Sequence, residues 1–156
     1  MAEVTQTVQD LEFLRVTVPE MLAFVPVSFF RVKDAPFDAD KVARLLPLFI
    51  TNTDTLYFYI MVDAERQVQG ILWVELSLFM QRFYVRLLSL SKQYQALGNP
   101  ILSKVKRHLA AMVKEIRGPR YKFPVSNTVS FSCNRPAAYL RKRCRRSDWI
   151  TMEVEV

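Results

Sequence analysis

What this chain lacks narrows it before any motif is read. Among 156 residues there are 3 glycines, 2 cysteines and 1 histidine. So few glycines, beside 8 prolines, exclude collagen-like and low-complexity classes. Cys133 and Cys144 stand eleven positions apart, with no Cys-x-x-Cys pattern and only His108 as a further soft ligand. A tetrahedral zinc site cannot assemble from that set, so a metal enzyme is not expected. No apolar run reaches the roughly 18 residues of a membrane span. The longest, Met21 to Phe30, is broken by Pro26. The start of the sequence, Met1 to Gln6, has neither the basic opening nor the apolar block of a secretory signal. These absences lead us to expect a soluble, cytoplasmic protein with no membrane partner. With 51% hydrophobic and 24% charged residues, a single domain over 1–156 is the expectation.

Acidic residues are scarce in one half. Residues 1–78 carry 6 basic and 11 acidic side chains, and residues 79–156 carry 16 and 4, so the net charge of +7 divides into −5 and +12. The second half therefore offers a surface that attracts anions: nucleic acid, a phosphorylated cofactor or an acidic protein. Solubility alone is the plainer account of the same charge.

The pattern of what is present gives the elements. Leu11 to Val18 reads as a first strand ending at Pro19, followed by a helical or irregular stretch to about Arg31. A helix follows, capped by Asp38 or Asp40, with Val42, Leu45, Leu46 and Phe49 at helical spacing and Pro47 shortening it. Thr55 to Val62 and Val68 to Leu76, separated by the polar turn Asp63 to Gln67, form a hairpin. Arg82 to Leu90 is a further strand, with Phe83, Val85 and Leu87 expected on one face and Tyr84, Arg86 and Leu88 on the other. From Ile101 to Arg117, Ile101, Leu102, Val105, Leu109, Met112, Val113 and Ile116 make a helical stripe. Gly118 is expected to end that helix in a left-handed cap, with Pro119 behind it. His108 borders the stripe and reads as a packing group. Thr128 to Cys133 alternates as another strand, Pro136 opens a short helix with Ala137, Leu140 and Cys144 on one seam, and Trp149 to Val156 alternates again. This order predicts an α/β (α+β) fold: a mixed, mostly antiparallel sheet flanked by helices, with a strand-helix-strand crossover in its second half.

Chemistry concentrates between Leu88 and Leu102. A strand that runs into a short polar loop with a glycine and then opens a helix aims backbone N–H groups and the helix dipole at one point, where a pyrophosphate fits. Gly98 as a plain turn glycine is the blander account. The stretch Gln95-Ala96-Leu97-Gly98-Asn99-Pro100 resembles the acyl-CoA signature of the GNAT superfamily of N-acyltransferases, matching its Gln and first Gly and departing at Pro100. Tyr94 stands where that family often has an aromatic residue. Downstream, Asn134-Arg135-Pro136-Ala137-Ala138-Tyr139-Leu140 is similar to the family's Asn-x-x-Ala-x-x-Leu segment, and the element order agrees over nearly the whole chain.

The resemblance implies a cofactor slot splayed between the fourth and fifth strands. Acetyl-CoA, or another acyl-CoA, would lie with its phosphates on Gln95, Ala96, Leu97, Gly98, Asn99 and Ile101, its pantetheine arm along Leu88 and Leu90, and Asn134 nearby. Pro100 contributes no N–H to such a cradle. An acceptor amine, on a small molecule or a protein, would attack the thioester while a base takes its proton and an acid protonates the thiolate. The Arg82 to Leu90 strand carries no carboxylate, and Arg141 stands where many members have the tyrosine acid, so Glu75 is the candidate base and Tyr139 the candidate acid. In the run Arg141 to Arg146, Arg141 and Arg145 are the candidates for the cofactor's ribose phosphate, placed by helical spacing beside the Ala137–Leu140–Cys144 seam. The expected function is transfer of an acetyl-type group to an amine. The alternatives are a catalytically silent GNAT-fold interaction or assembly protein, as some virus-encoded proteins are, and a nonspecific nucleic-acid binder acting through the basic half.

Overall fold

Three segments rich in β-branched and aromatic side chains, which suit a pleated and half-buried surface, build the middle of the molecule. They are β2 (Leu56–Val62), β3 (Val68–Ser77) and β4 (Arg82–Leu90), joined as antiparallel hairpins. The computed structural model describes residues 2–30, 55–118, 124–132, 145–146 and 151–156. Before β2 come helix α1 (Ala2–Gln9), strand β1 (Glu12–Val16), helix α2 (Val18–Phe24) and a 3₁₀ turn (Val27–Phe30). After β4 come a one-turn helix α3 (Lys92–Gln95), the long helix α4 (Asn99–Arg117) and strands β5 (Thr128–Ser132), β6 (Arg145–Arg146) and β7 (Thr151–Glu155).

The strands form one 7-stranded sheet in the order β1-β2-β3-β4-β5-β7-β6. All neighbours run antiparallel except β4 and β5, which run parallel. Helix α4 is the crossover that a parallel pair requires. Its stripe is the expected one: Ile101, Val105, Leu109, Met112, Val113 and Ile116 are buried against Tyr57, Tyr59, Leu72, Val74, Phe83, Val129 and Val154 of the sheet. A second cluster fills the opposite face, where Met21, Val25 and Phe29 cover Leu56, Phe58, Ile71, Trp73 and Leu87. Among the described residues no helix is long and apolar enough to cross a membrane, and no group of His, Cys, Asp and Glu side chains is placed to hold a metal.

The structure corrects the sequence reading at several points. The expected faces of β4 do not hold along its length. Trp73 pairs with Leu87 but Val74 pairs with Val85, so Arg86 is an extra residue, a β-bulge. Past it the alternation reverses: Leu87 joins the second cluster, and Leu88 and Leu90 pack on the first. Gly118 is not left-handed. Its φ of −62° and ψ of 174° are extended, and its N–H donates to the Glu115 carbonyl at 3.1 Å. The left-handed positions fall instead on Arg66 (φ 65°), Gln81 (φ 52°) and Gly98 (φ 67°).

Helix α1 went unread because its eight residues carry only two valines and no long apolar stripe. It is held from outside. Lys104 Nζ, on α4, donates to the carbonyls of Val8 and Gln9 at 2.8 and 2.9 Å, and a cation at a helix C-terminus also suits the dipole. Helix α2 starts one residue before Pro19, fixed by a capping box in which the Thr17 hydroxyl accepts from Glu20 N–H and the Glu20 carboxylate accepts from Thr17 N–H. His108 is a packing group, stacked on Phe13 at 4.2 Å between ring centroids and edge-on to Tyr59 at 4.4 Å. Burial pushes its imidazole down to about 4. The expected helices at 38–49 and 136–144, with Cys133 and Cys144, lie outside the described residues.

Candidate active site

The parallel seam between β4 and β5 is short. Tyr84 pairs with Ser130 and Val85 with Phe131, while β4 runs on to Leu90. The bulge at Arg86 sits where that pairing stops. Bulges bend and twist a strand, so β4 changes direction at this point. Beyond Val85 the β5 side of β4 has no ladder partner among the described residues.

The chain then enters the turn that leads to α4. Ser91 is anchored to the β2–β3 hairpin: its N–H and hydroxyl donate to the backbone and side-chain oxygens of Gln69, and Gln69 Nε2 in turn donates to Asp63 Oδ2 at 2.8 Å. Tyr94 is buried beneath the turn, and its phenol is pushed up by that burial and by the charges of Asp63, Glu65 and Asp10. Instead of a plain loop, α3 fills 92–95. The N–H groups of Gln95, Ala96, Leu97 and Gly98 therefore donate to the carbonyls of Ser91, Lys92, Tyr94 and Gln95. Gln95 Nε2 reaches back to the Leu90 carbonyl at 2.7 Å, closing the turn onto the end of β4. Gly98 caps α4 with ψ −126° beside its positive φ, a backbone state suited to glycine, and a Cβ built there would meet nothing within 4 Å. The N–H groups of Asn99 and Ile101, in the first turn of α4, have no intrahelical acceptor. The Ile101 side chain itself is core, so its part in any ligand site is through its backbone.

Glu75 lies opposite Tyr84 on the neighbouring strand. Its Oε2 accepts from Arg86 Nε at 2.7 Å, and the Arg86 guanidinium stacks over the Tyr84 ring at 4.3 Å. On the other side of Tyr84, Arg82 Nη1 donates to Glu153 Oε2 at 3.0 Å and to Ser130 Oγ at 3.3 Å, with both charged side chains mostly buried. Thr128 Oγ1 donates to Glu155 Oε1 at 2.6 Å. These groups form a polar row across β3, β4, β5 and β7 on one face of the sheet. Arg82, Ser130 and Glu153 were missed in the sequence. Each strand's alternation places them opposite an apolar stripe, but only the pairing register brings the rows side by side.

The candidates from sequence are brought together in part. Leu88 and Leu90 are half-buried on β4, Gln95 and Ala96 are exposed on the turn, Leu97 is half-buried, and Gly98, Asn99 and Ile101 follow at the helix start. Glu75 stands one strand from the seam. Tyr139, Asn134 and Arg141 lie outside the described residues. Arg145 belongs to β6, paired with Glu153 on β7, so backbone pairing to β7 rather than helical spacing sets its place.

No protein-family model and no curated protein matches the chain. Solved structures do. A spermidine N-acetyltransferase SpeG chimera from Vibrio cholerae and hSSAT superposes with a TM-score of 0.63 at 9% identity, over 94% of this chain and 95% of that one. A protein from Desulfovibrio desulfuricans described as an acetyltransferase of the GNAT family gives 0.61 at 12% identity, over 93% and 98%. A dodecameric Vibrio cholerae spermidine N-acetyltransferase gives 0.58 at 7%, over 94% of each. The chain has the fold of the GNAT acetyltransferases, the mixed sheet that the sequence led us to expect.

Proposed function

We propose that the chain is an N-acyltransferase that moves an acetyl-type group from acyl-CoA, acetyl-CoA in particular, to an amine. The observation that carries this reading is the short parallel seam: among the described residues β4 and β5 pair through two residues, and β4 runs on beyond them toward the N-terminus of α4. A pantetheine arm is a chain of amides and suits an unpaired strand edge. The N–H groups of Asn99 and Ile101, with the helix dipole behind them, suit a phosphate, and the open space at Gly98 lets the backbone approach it. Acyl-CoA bound there supplies an electrophilic thioester carbon. Glu75 accepts the amine proton, oriented by the hydrogen bond from Arg86, and Tyr139 is assigned the thiolate's proton from the resemblance alone. Asn134, Arg141 and Arg145 are proposed donor contacts on the same ground.

Calorimetric titration with acetyl-CoA at low salt tests the proposal: binding at or below millimolar concentration is expected, and none at that level would end it. In an active preparation, Glu75→Gln is expected to lower kcat by about 10²–10⁴-fold. A second reading, a GNAT-fold module that binds the donor without turnover, is favoured by one fact: the Glu75 carboxylate is already bonded to Arg86. Donor binding with no transfer to any amine in a panel of polyamines, amino acids and peptides selects it.

A further inference from the structure

Among the described residues the large apolar side chains left exposed are Phe24, Leu78, Phe79 and Met80. They fall at two places. Leu78, Phe79 and Met80 form the tip of the β3–β4 hairpin, with Phe79 95% exposed. Phe24 edges an open hollow of about 420 Å³ lined by Leu14, Pro26, Ile60, Arg66 and Val68. Val68 opens β3 and Leu78 follows its end. Ten strand residues separate the two by about 30 Å, so the tip cannot reach the hollow of its own chain.

We propose that the hairpin tip of one copy seats in the hollow of a second copy, a head-to-tail contact in which Phe79 is the anchor. The tip is preorganised. Met80 N–H donates to Ser77 Oγ at 3.2 Å, Ser126 N–H donates to the Gln81 carbonyl at 2.7 Å, and Gln81 holds a left-handed φ. Little conformational freedom is lost on docking. From Ser77 to Gln81 the tip carries no charge, and the charged side chain lining the hollow, Arg66, is itself paired with Glu12 at 3.4 Å, so docking leaves no charge unpaired. Three exposed apolar residues in a row are otherwise a solubility liability. The tip presents on the order of 400 Å², about half of what each partner gives to a stable interface, so the association is weak and dynamic. Tip and hollow are different surfaces, so each added copy leaves one of each open and assembly continues unless it closes into a ring.

Sedimentation velocity of the full chain between about 10 and 500 µM tests this, in the range where an interface of this size exchanges. Wild type is expected to grow beyond dimer as concentration rises. Phe79→Ser and Phe24→Asp, both at exposed positions where an unchanged circular dichroism melt checks the fold, are each expected to weaken association at least about tenfold. Mixed in equal amounts, the two variants retain one working interface per pair and are expected to give a dimer and nothing larger. A wild type that stays monomeric at 500 µM overturns the proposal, including one whose Phe79 instead enters phosphatidylcholine and phosphatidylserine vesicles. So does a mixture no larger than either variant alone, which would point to a tip-to-tip contact.

Discussion

One face of the sheet is two different surfaces. Over β1, β2 and the first part of β3, before Glu75, its core is apolar, with Phe58, Ile71 and Trp73 closed beneath Met21, Val25 and Phe29. Over β4, β5 and β7 the same face carries Tyr84, Ser130, Glu153 and Glu155, with Arg82 and Arg86 bonded among them. The bulge at Arg86 lies between the two regimes, because it lets Leu87 reach back to the apolar half while Tyr84, three residues earlier, faces the polar one. A single inserted residue thus sets where burial ends and a row able to meet a polar ligand begins.

Removing Arg86 altogether attacks that boundary directly. Val85 and Leu87 would then follow each other as Val74 and Trp73 do, so each side chain past Val85 keeps its face while the bulge is lost; the fold should persist by circular dichroism, and the largest effect expected is loss of the acetyl-CoA binding read in the titration above. Within the apolar half, Trp73→Ala is expected to cost about 3–5 kcal/mol, since the indole is buried and packs on Phe58. The matching change in the polar half, Arg82→Met, leaves Glu153 without its guanidinium partner and is expected to cost about 1–3 kcal/mol. Arg82→Met combined with Glu153→Gln should recover part of that loss. A double variant no better than the sum of the singles would show that the pair does not act as a unit.

His108 tests the contrast in reverse, as a titratable ring inside apolar packing. Its folded pKa, about 4, lies below the ordinary histidine value. The unfolded chain therefore binds a proton between pH 6.5 and 4 that the folded chain refuses. The stabilising contribution is complete above about pH 6.5 and is lost as pH falls through 4. Because the ring is partly open to solvent, we expect about 1–2 kcal/mol from it, less than the full shift implies. In His108→Phe, stability should fall less over this interval, and a profile identical to wild type would refute the assignment. The smallest effect expected is at the tip of the β3–β4 hairpin. Gln81→Gly relieves a left-handed residue whose bonding role is through its backbone, and a gain of about 0.5–1 kcal/mol should appear as a higher Tm.

The contrast also separates what the sequence could reveal from what it could not. β2, β3 and α4 were legible because their patterns are local: alternation and aromatic content in the strands, helical spacing in Ile101 to Ile116. The bulge was not, since nothing within Arg82 to Leu90 states its register against β3. Two-residue β6 exists through its pairing with β7, so a basic run after a helix signal was read as more helix. For the candidate site, Gln95 and Gly98 were found from the motif, but the turn of helix that draws in the 95–98 N–H groups depends on Ser91 and on the Tyr94 side chain buried beneath it. Glu75 was named as a carboxylate near the seam. Its partner Arg86 became visible only once the strands were aligned.

The short parallel seam has a kinetic consequence. β2, β3 and β4 join by adjacent hairpins, whereas β5 meets β4 only after the chain has travelled through residues 91–127, and among the described residues it meets it through two residue pairs. Contacts that close long loops form late, and a ladder this short gives little in return until α4 docks. The β2–β4 meander should gather first and the antiparallel β5–β7 pair should attach later. In the native protein this two-pair ladder is what ties β5 and β7 to β2–β4 across the sheet, so β5 and β7 amides should exchange with solvent deuterium by a sub-global opening, at lower free energy than the amides of β2 and β3.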